Sequence, residues 1–125
     1  MIKQIATDKA PAAIGPYSQG LDLGNMVFVS GQIPVDPATG AFAGEDIVTQ
    51  TKQSLTNVKN ILEAAGYSLN DVVKTTVLLA DIADFAAMNA VYAEFFSENK
   101  PARACFAVRD LPRGALVEIE AIANK

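Results

Sequence analysis

Only two stretches of this 125-residue chain carry a helical repeat, while six read as strands, and the longest strand-like runs are apolar on both faces. Strands send successive side chains to opposite faces, whereas helices bring every third or fourth residue to one side, so the two periods can be told apart along the chain. Short strands are expected near residues 2–6, 19–23 and 26–33, the last reading MVFVSGQI. Residues 49–65 follow the helical period, with Val48, Thr51, Leu55, Val58, Ile61, Leu62 and Ala65 on one side and Gly66 as the C-cap. DVVKTTVLLA at 71–80 returns to strand. Asp84 is the expected N-cap of a second helix, in which Phe85, Met88, Tyr92, Phe95 and Phe96 recur at three- and four-residue spacing. Pro101 stops that segment and two more strands follow. The order β-β-β-α-β-α-β-β is an α+β pattern, expected to form one domain over residues 1–125.

Two helices can cover only one face of such a sheet. Val27, Val29, Ile33, Val73, Val77 and Leu79 alternate with Met26, Phe28, Leu78 and Ala80, so both faces carry apolar area. Exposed apolar patches beyond a few hundred Å² are uncommon in monomers, and self-association is the simplest way to cover the second face. From the residues alone the expectation is an oligomer of unstated size.

Composition narrows the function classes. A chain that is 50% hydrophobic can bury a real core. No apolar run approaches the roughly 20 residues that cross a bilayer, and MIKQIATDKAP lacks the apolar core of a signal peptide, so a soluble, cytoplasmic protein is expected. One cysteine excludes an intrachain disulfide. With no histidine, only carboxylates and a lone thiol remain for a metal, and none is expected. A net charge of -4 disfavours nucleic acid, whose binding draws on clusters of Lys and Arg.

The residues that carry chemistry concentrate in PARACFAVRDLPRGALVEIEAIA at 101–123. Arg103, Cys105, Ala107 and Arg109 share one face of the first run, and Ala104, Phe106 and Val108 the other. In the second run Glu118 and Glu120 lie opposite Val117, Ile119 and Ala121. An arginine offers a planar fork that grips a carboxylate with two parallel hydrogen bonds, and a glutamate can move a proton. Alternation alone equally allows two half-solvated strands with ordinary surface charge, and does not choose between the two glutamates.

The segment resembles the signature of the Rid family of reactive-intermediate deaminases. PARA at 101–104, Cys105, Leu111-Pro112, Gly114 and EIEAIA at 118–123 carry the resemblance. It extends through AAIGPYSQG at 12–20, SGQIPVDPATG at 30–40, QSLTNVKNILEAAG at 53–66 and NAVYAEFF at 89–96. Phe106-Ala107 stand where the family often carries Val-Glu, and Arg109-Asp110 replace a commoner small-then-basic pair. The resemblance implies a chorismate-mutase-like fold assembled as a homotrimer, with sites in clefts between subunits. It implies hydrolysis of short-chain 2-imino and 2-enamino acids, released by pyridoxal-phosphate enzymes, to 2-oxo acids and ammonia, without a cofactor.

It also selects Glu118 over Glu120 as the proton-handling group, with Arg103 as the substrate anchor, and implies that the Cys105 backbone contacts ligand. The Cys105 side chain, with no histidine to activate it, is expected only to line the pocket. Tyr17 can offer a hydroxyl to the substrate or the water, or simply anchor its loop. Ser30 and Gly31 fall at a strand end, where glycine lets a ligand approach the backbone. Asn89 is the one polar residue among Phe85, Tyr92 and Phe96 at helical spacing, and needs a hydrogen-bond partner if buried. Two other functions compete: a non-catalytic small-molecule-binding regulatory protein, and a ribonuclease or translation inhibitor.

Overall fold

The computed structural model describes all 125 residues. Six strands form one sheet: β1 (Lys3–Ile5), β2 (Gly20–Asp22), β3 (Met26–Gln32), β4 (Val72–Leu79), β5 (Ala102–Ala107) and β6 (Val117–Asn124). The helices are α1 (Ile47–Ala64) and α2 (Phe85–Phe95). The sheet order is β1-β2-β3-β6-β4-β5, antiparallel throughout except for the parallel pair β4 and β5. Strands β3, β4 and β5 therefore run the same way. Each parallel step needs a crossover, which α1 supplies between β3 and β4 and α2 between β4 and β5. β6 is inserted in the gap that α1 spans.

Both helices pack on one face. Val27 and Val29 of β3, Val77 and Leu79 of β4, and Val117 and Ile119 of β6 are buried against Leu55, Val58, Ile61 and Leu62 of α1 and Met88 of α2. Truncating a fully buried residue such as Leu55 to alanine in a core of this kind costs about 2–5 kcal/mol. The opposite face stays open, with Phe28 41%, Val73 46% and Phe106 49% exposed.

Local signals account for most boundaries. The α1 terminus is a Schellman turn, in which Tyr67 N–H donates to Leu62 O and Gly66 N–H to Glu63 O, with Gly66 at φ 80. Three expectations need correction. α1 starts two residues before Thr49 because Asp46 caps it, its carboxylate accepting from Thr49 N at 2.9 Å, and Val48 in the first turn points to solvent. Asp84 occupies the N-cap position of α2 but makes no side-chain cap, since Asp81 caps the preceding 3-10 turn through Ala83 N. Val73 does not share a face with Val77, because a register shift between Val72 and Lys74 turns it outward and puts Thr75 inside.

Candidate active site

Arg103 lies on β5, an edge strand of the sheet, paired with Thr75 of β4. Paired residues of neighbouring strands point the same way, so Arg103 faces the helices. Its guanidinium carbon sits 4.7 Å from the centre of the Tyr92 ring and 5.5 Å from that of Phe85. One arginine nitrogen donates to Asn89 Oδ1 at 2.7 Å. Tyr92 is itself fixed, its hydroxyl 2.7 Å from Thr75 Oγ1. Stacking and hydrogen bonding thus aim the fork without neutralising it, for the chain's one ion pair is Arg109 with Asp110, far more exposed. Cys105 is the next residue on this face and packs against the core. Burial pushes its thiol up, with Arg103 opposing, which suits a lining group better than a nucleophile.

Glu118 belongs to a second group of residues. On β6 it pairs with Leu78 of β4, three residues from Thr75, and so points to the open face. Its carboxylate occupies the space where a side chain at Gly31 would stand, and a Cβ there would collide with Glu118 Oε2. Ser30 and Gly31 lie in the register irregularity between Val29 and Gln32, where the ladder with β6 is interrupted. Ser30 is tied to the loop before β2, its Oγ donating to Ser18 O at 2.6 Å and its N–H to Gln19 O at 2.9 Å. Tyr17 stands on that loop, 53% exposed, its N–H donating to Gly15 O at 2.9 Å. Tyr17 and Gly31 share a cavity of about 480 Å³. Burial raises the Glu118 carboxyl above the ordinary glutamate range, and repulsion from Glu120 adds to it. A carboxyl that holds its proton more firmly is better matched to acid–base work near neutral pH.

The expected residues therefore form two clusters. Arg103, Asn89 and Cys105 meet on the helix face at one edge; Tyr17, Ser30, Gly31 and Glu118 meet around the β3–β6 junction and the open face. Within a single chain the sheet itself lies between Arg103 and Glu118. Three contributors escaped the sequence reading. Tyr92 and Phe85 bear on the guanidinium, and their helical spacing to Asn89 was the available signal. Gln19, 4% exposed, holds residues 7–11 by accepting from Thr7 N at 2.7 Å and donating to Thr7 O at 3.0 Å and Pro11 O at 2.8 Å. Only its place in GPYSQG hinted at a structural duty.

A stacked, acid-free arginine has the chemistry to hold a small carboxylate, and a desolvated glutamate that to move a proton. The sequence model of the endoribonuclease L-PSP family matches residues 7–125, and the chain belongs to that family. It is 60% identical over 126 aligned positions to a 2-iminobutanoate/2-iminopropanoate deaminase of Salmonella typhimurium, covering 98% of each chain. The structure of E. coli TdcF with bound serine superposes with a TM-score of 0.95 at 52% identity, covering 98% of each chain. A Yersinia pestis protein described as of the conserved Rid family, and of unknown function, superposes at 0.97 with 42% identity over 100% of both chains. These matches bear out the Rid resemblance read from the sequence motifs.

Proposed function

We propose that the chain is a 2-iminobutanoate/2-iminopropanoate deaminase that hydrolyses short-chain 2-imino and 2-enamino acids to 2-oxo acids and ammonia. The observation that carries this reading is that one small chain holds both an aimed, acid-free arginine and a desolvated glutamate, and is 60% identical to a deaminase of that name. Arg103 takes the substrate carboxylate through its free N–H groups, and the Cys105 backbone and the Asn89 carbonyl complete that wall. Glu118 accepts a proton from water as the water oxygen bonds to the imine carbon. With the imine nitrogen protonated this gives a neutral carbinolamine. Glu118 returns its proton to that nitrogen, the hydroxyl proton passes back to Glu118 as the C–N bond breaks, and ammonia leaves with a 2-oxo acid behind while Glu118 releases the proton to solvent. Tyr17, Ser30 and Gly31 border the water and the reacting carbon. Imines already hydrolyse in water, so orientation and acid–base help of about 10² to 10⁴ suffice. No cofactor or metal enters this scheme.

The site is shared between copies of a single-domain chain assembled as a homotrimer. Support comes from the face assignment, since Arg103 of one protomer needs a Glu118 that its own sheet keeps away. It also comes from the open face, where Phe28, Phe106 and Val73 expose apolar surface of the sort that protein interfaces bury. A chorismate-mutase-like architecture fits the same layering. No helix is long and apolar enough to cross a membrane; the cytoplasm is the proposed place of action. The family's descriptive name suggests nuclease activity, but a net charge of -4 gives a phosphate backbone little to bind.

The direct assay generates iminopropanoate and iminobutanoate in situ with an amino-acid-oxidising or dehydratase enzyme and follows imine loss. Accelerated loss that saturates with substrate is expected. A rate no higher than that of buffer would remove the deaminase reading and leave a binding protein.

A further inference from the structure

The cavity beside Tyr17 and Gly31 holds a group that the proposed reaction does not use. Its lining includes one charged side chain, Arg113, and no carboxylate. Arg113 is the only residue other than glycine with a positive φ, at φ 59 and ψ 19, in the turn that leads into β6. Non-glycine residues are held in this conformation only where their surroundings require it. The side chain is also held. Its Nη2 donates to Gly40 O at 3.2 Å, and its guanidinium carbon sits 5.3 Å from the centre of the Phe42 ring. Glu45 lines the hollow on the other side of Arg113 without forming an ion pair with it. Stacking and one carbonyl bond leave the remaining N–H donors of the fork free.

We infer that Arg113 is a specificity-determining residue, a distal carboxylate subsite through which the cleft takes 2-imino dicarboxylic acids. This deepens the deaminase reading and rests on it for the reaction, though not for binding. The proposed cleft already spends one arginine, Arg103, on the carboxylate next to the reacting carbon. Gly31 links the two places, since it touches Glu118 and also lines the cavity. A substrate reacting at Glu118 can extend its side chain past Gly31 and Tyr17 towards Arg113. A cavity of about 480 Å³ lies within the range of small-molecule sites. Its apolar wall, from Ile14, Ile33 and Val35, gives a side-chain carboxylate no competing polar partner except Arg113, Tyr17 and Gln32. A guanidinium fork suits that partner, because a carboxylate accepts two parallel bonds from it.

The test uses the assembled wild-type protein and the Arg113→Gln and Arg113→Lys variants. Binding of 2-oxoglutarate and 2-oxobutanoate is measured by calorimetry, and hydrolysis of 2-iminoglutarate and iminopropanoate by imine loss. Wild type should bind 2-oxoglutarate more tightly than 2-oxobutanoate. Arg113→Gln should weaken the dicarboxylate about ten- to hundredfold more than the monocarboxylate, and Arg113→Lys should recover part of that difference. The ratio of kcat/KM for 2-iminoglutarate over iminopropanoate should fall in the same order. Equal losses for both ligands, or none for either, would overturn the subsite. If no imine is hydrolysed yet 2-oxoglutarate binding depends on Arg113, the deaminase reading fails and the subsite stands. If iminopropanoate is hydrolysed and its selectivity ratio ignores Arg113, the subsite fails alone.

Discussion

The two halves of the proposed site are built by different means. Around Arg103 the work is done by side chains: Asn89 holds a nitrogen, Tyr92 and Phe85 flank the plane, and Thr75 holds Tyr92. Around Glu118 it is done by backbone: a missing Cβ at Gly31, a broken ladder at Ser30, and a loop whose Ser18 and Gln19 carbonyls accept hydrogen bonds from Ser30. The difference follows from the chemistry. An anchor must keep its geometry while its charge stays unspent, and stacking with a neutral amide does that without supplying a counter-ion. An acid–base group needs partial desolvation, which close backbone approach supplies without a partner that would fix its protonation.

The largest effect expected from breaking this contrast is at the anchor. Arg103→Ala should lower kcat/KM for iminopropanoate by tens- to thousands-fold, the cost of losing a buried charge-assisted pair of about 2–5 kcal/mol. Arg103→Lys should fare little better, because a point charge replaces the fork and the stacking is lost. Steady-state kinetics on folded protein decides this, and a near-wild-type rate would take Arg103 out of the site.

Glu118→Gln comes next, with a loss of about 10² to 10⁴ in kcat and much smaller change in 2-oxo acid affinity. A protein that only binds a carboxylate would lose neither, so unchanged behaviour would favour the regulatory reading. Glu120→Gln should leave most of the activity; reversed effects would mean that the two glutamates have been misassigned by two residues.

Loosening each half separately sharpens the comparison. Asn89→Ala frees the guanidinium and should act mainly on KM. Gly31→Ala puts a methyl where the Glu118 carboxylate rests and should act mainly on kcat, a displacement near 1 Å being worth about a hundredfold. Similar KM and kcat changes in both variants would contradict the division of labour.

Much of this was legible in the chain. The helical period located α1 and α2, and motif resemblance picked Arg103 and Glu118 out of alternating strands in which the two glutamates look alike. What was not legible depends on register. The shift between Val72 and Lys74 turns Val73 outward, and no local feature of DVVKTTVLLA announces it. The insertion of β6 between β3 and β4 is a long-range pairing, so the sequence could not say that Arg103 aligns with Thr75 and Glu118 with Leu78. That three-residue offset is what puts the two on opposite faces. Nothing in LPRG marks Arg113, because a left-handed arginine has no reliable sequence signature.

A smaller effect concerns pH. Glu118 has its carboxyl raised first by burial and then by Glu120, so the acidic limb of kcat/KM should lie above the ordinary glutamate value of about 4.3. Glu120→Gln removes the like charge and should move that limb to lower pH; a limb that stays in place would remove Glu120 from the field at Glu118. The same shift has a stability sign. A raised carboxyl holds its proton more tightly when folded, so its contribution to stability declines as pH climbs from the unfolded to the folded value. Glu118→Gln should flatten that slope.

The central claim is that one site draws Arg103 and Glu118 from different copies of the chain, and subunit mixing tests it most directly. Arg103→Ala and Glu118→Gln proteins, each inactive alone, are combined under conditions that allow subunit exchange, and imine hydrolysis is followed as the mixture equilibrates. Random mixed assemblies would contain about a quarter of their clefts with both wild-type groups, so activity should recover towards that fraction. Subunits shown to exchange, with activity no higher than that of either parent, would place both residues in a site of one chain and contradict the account.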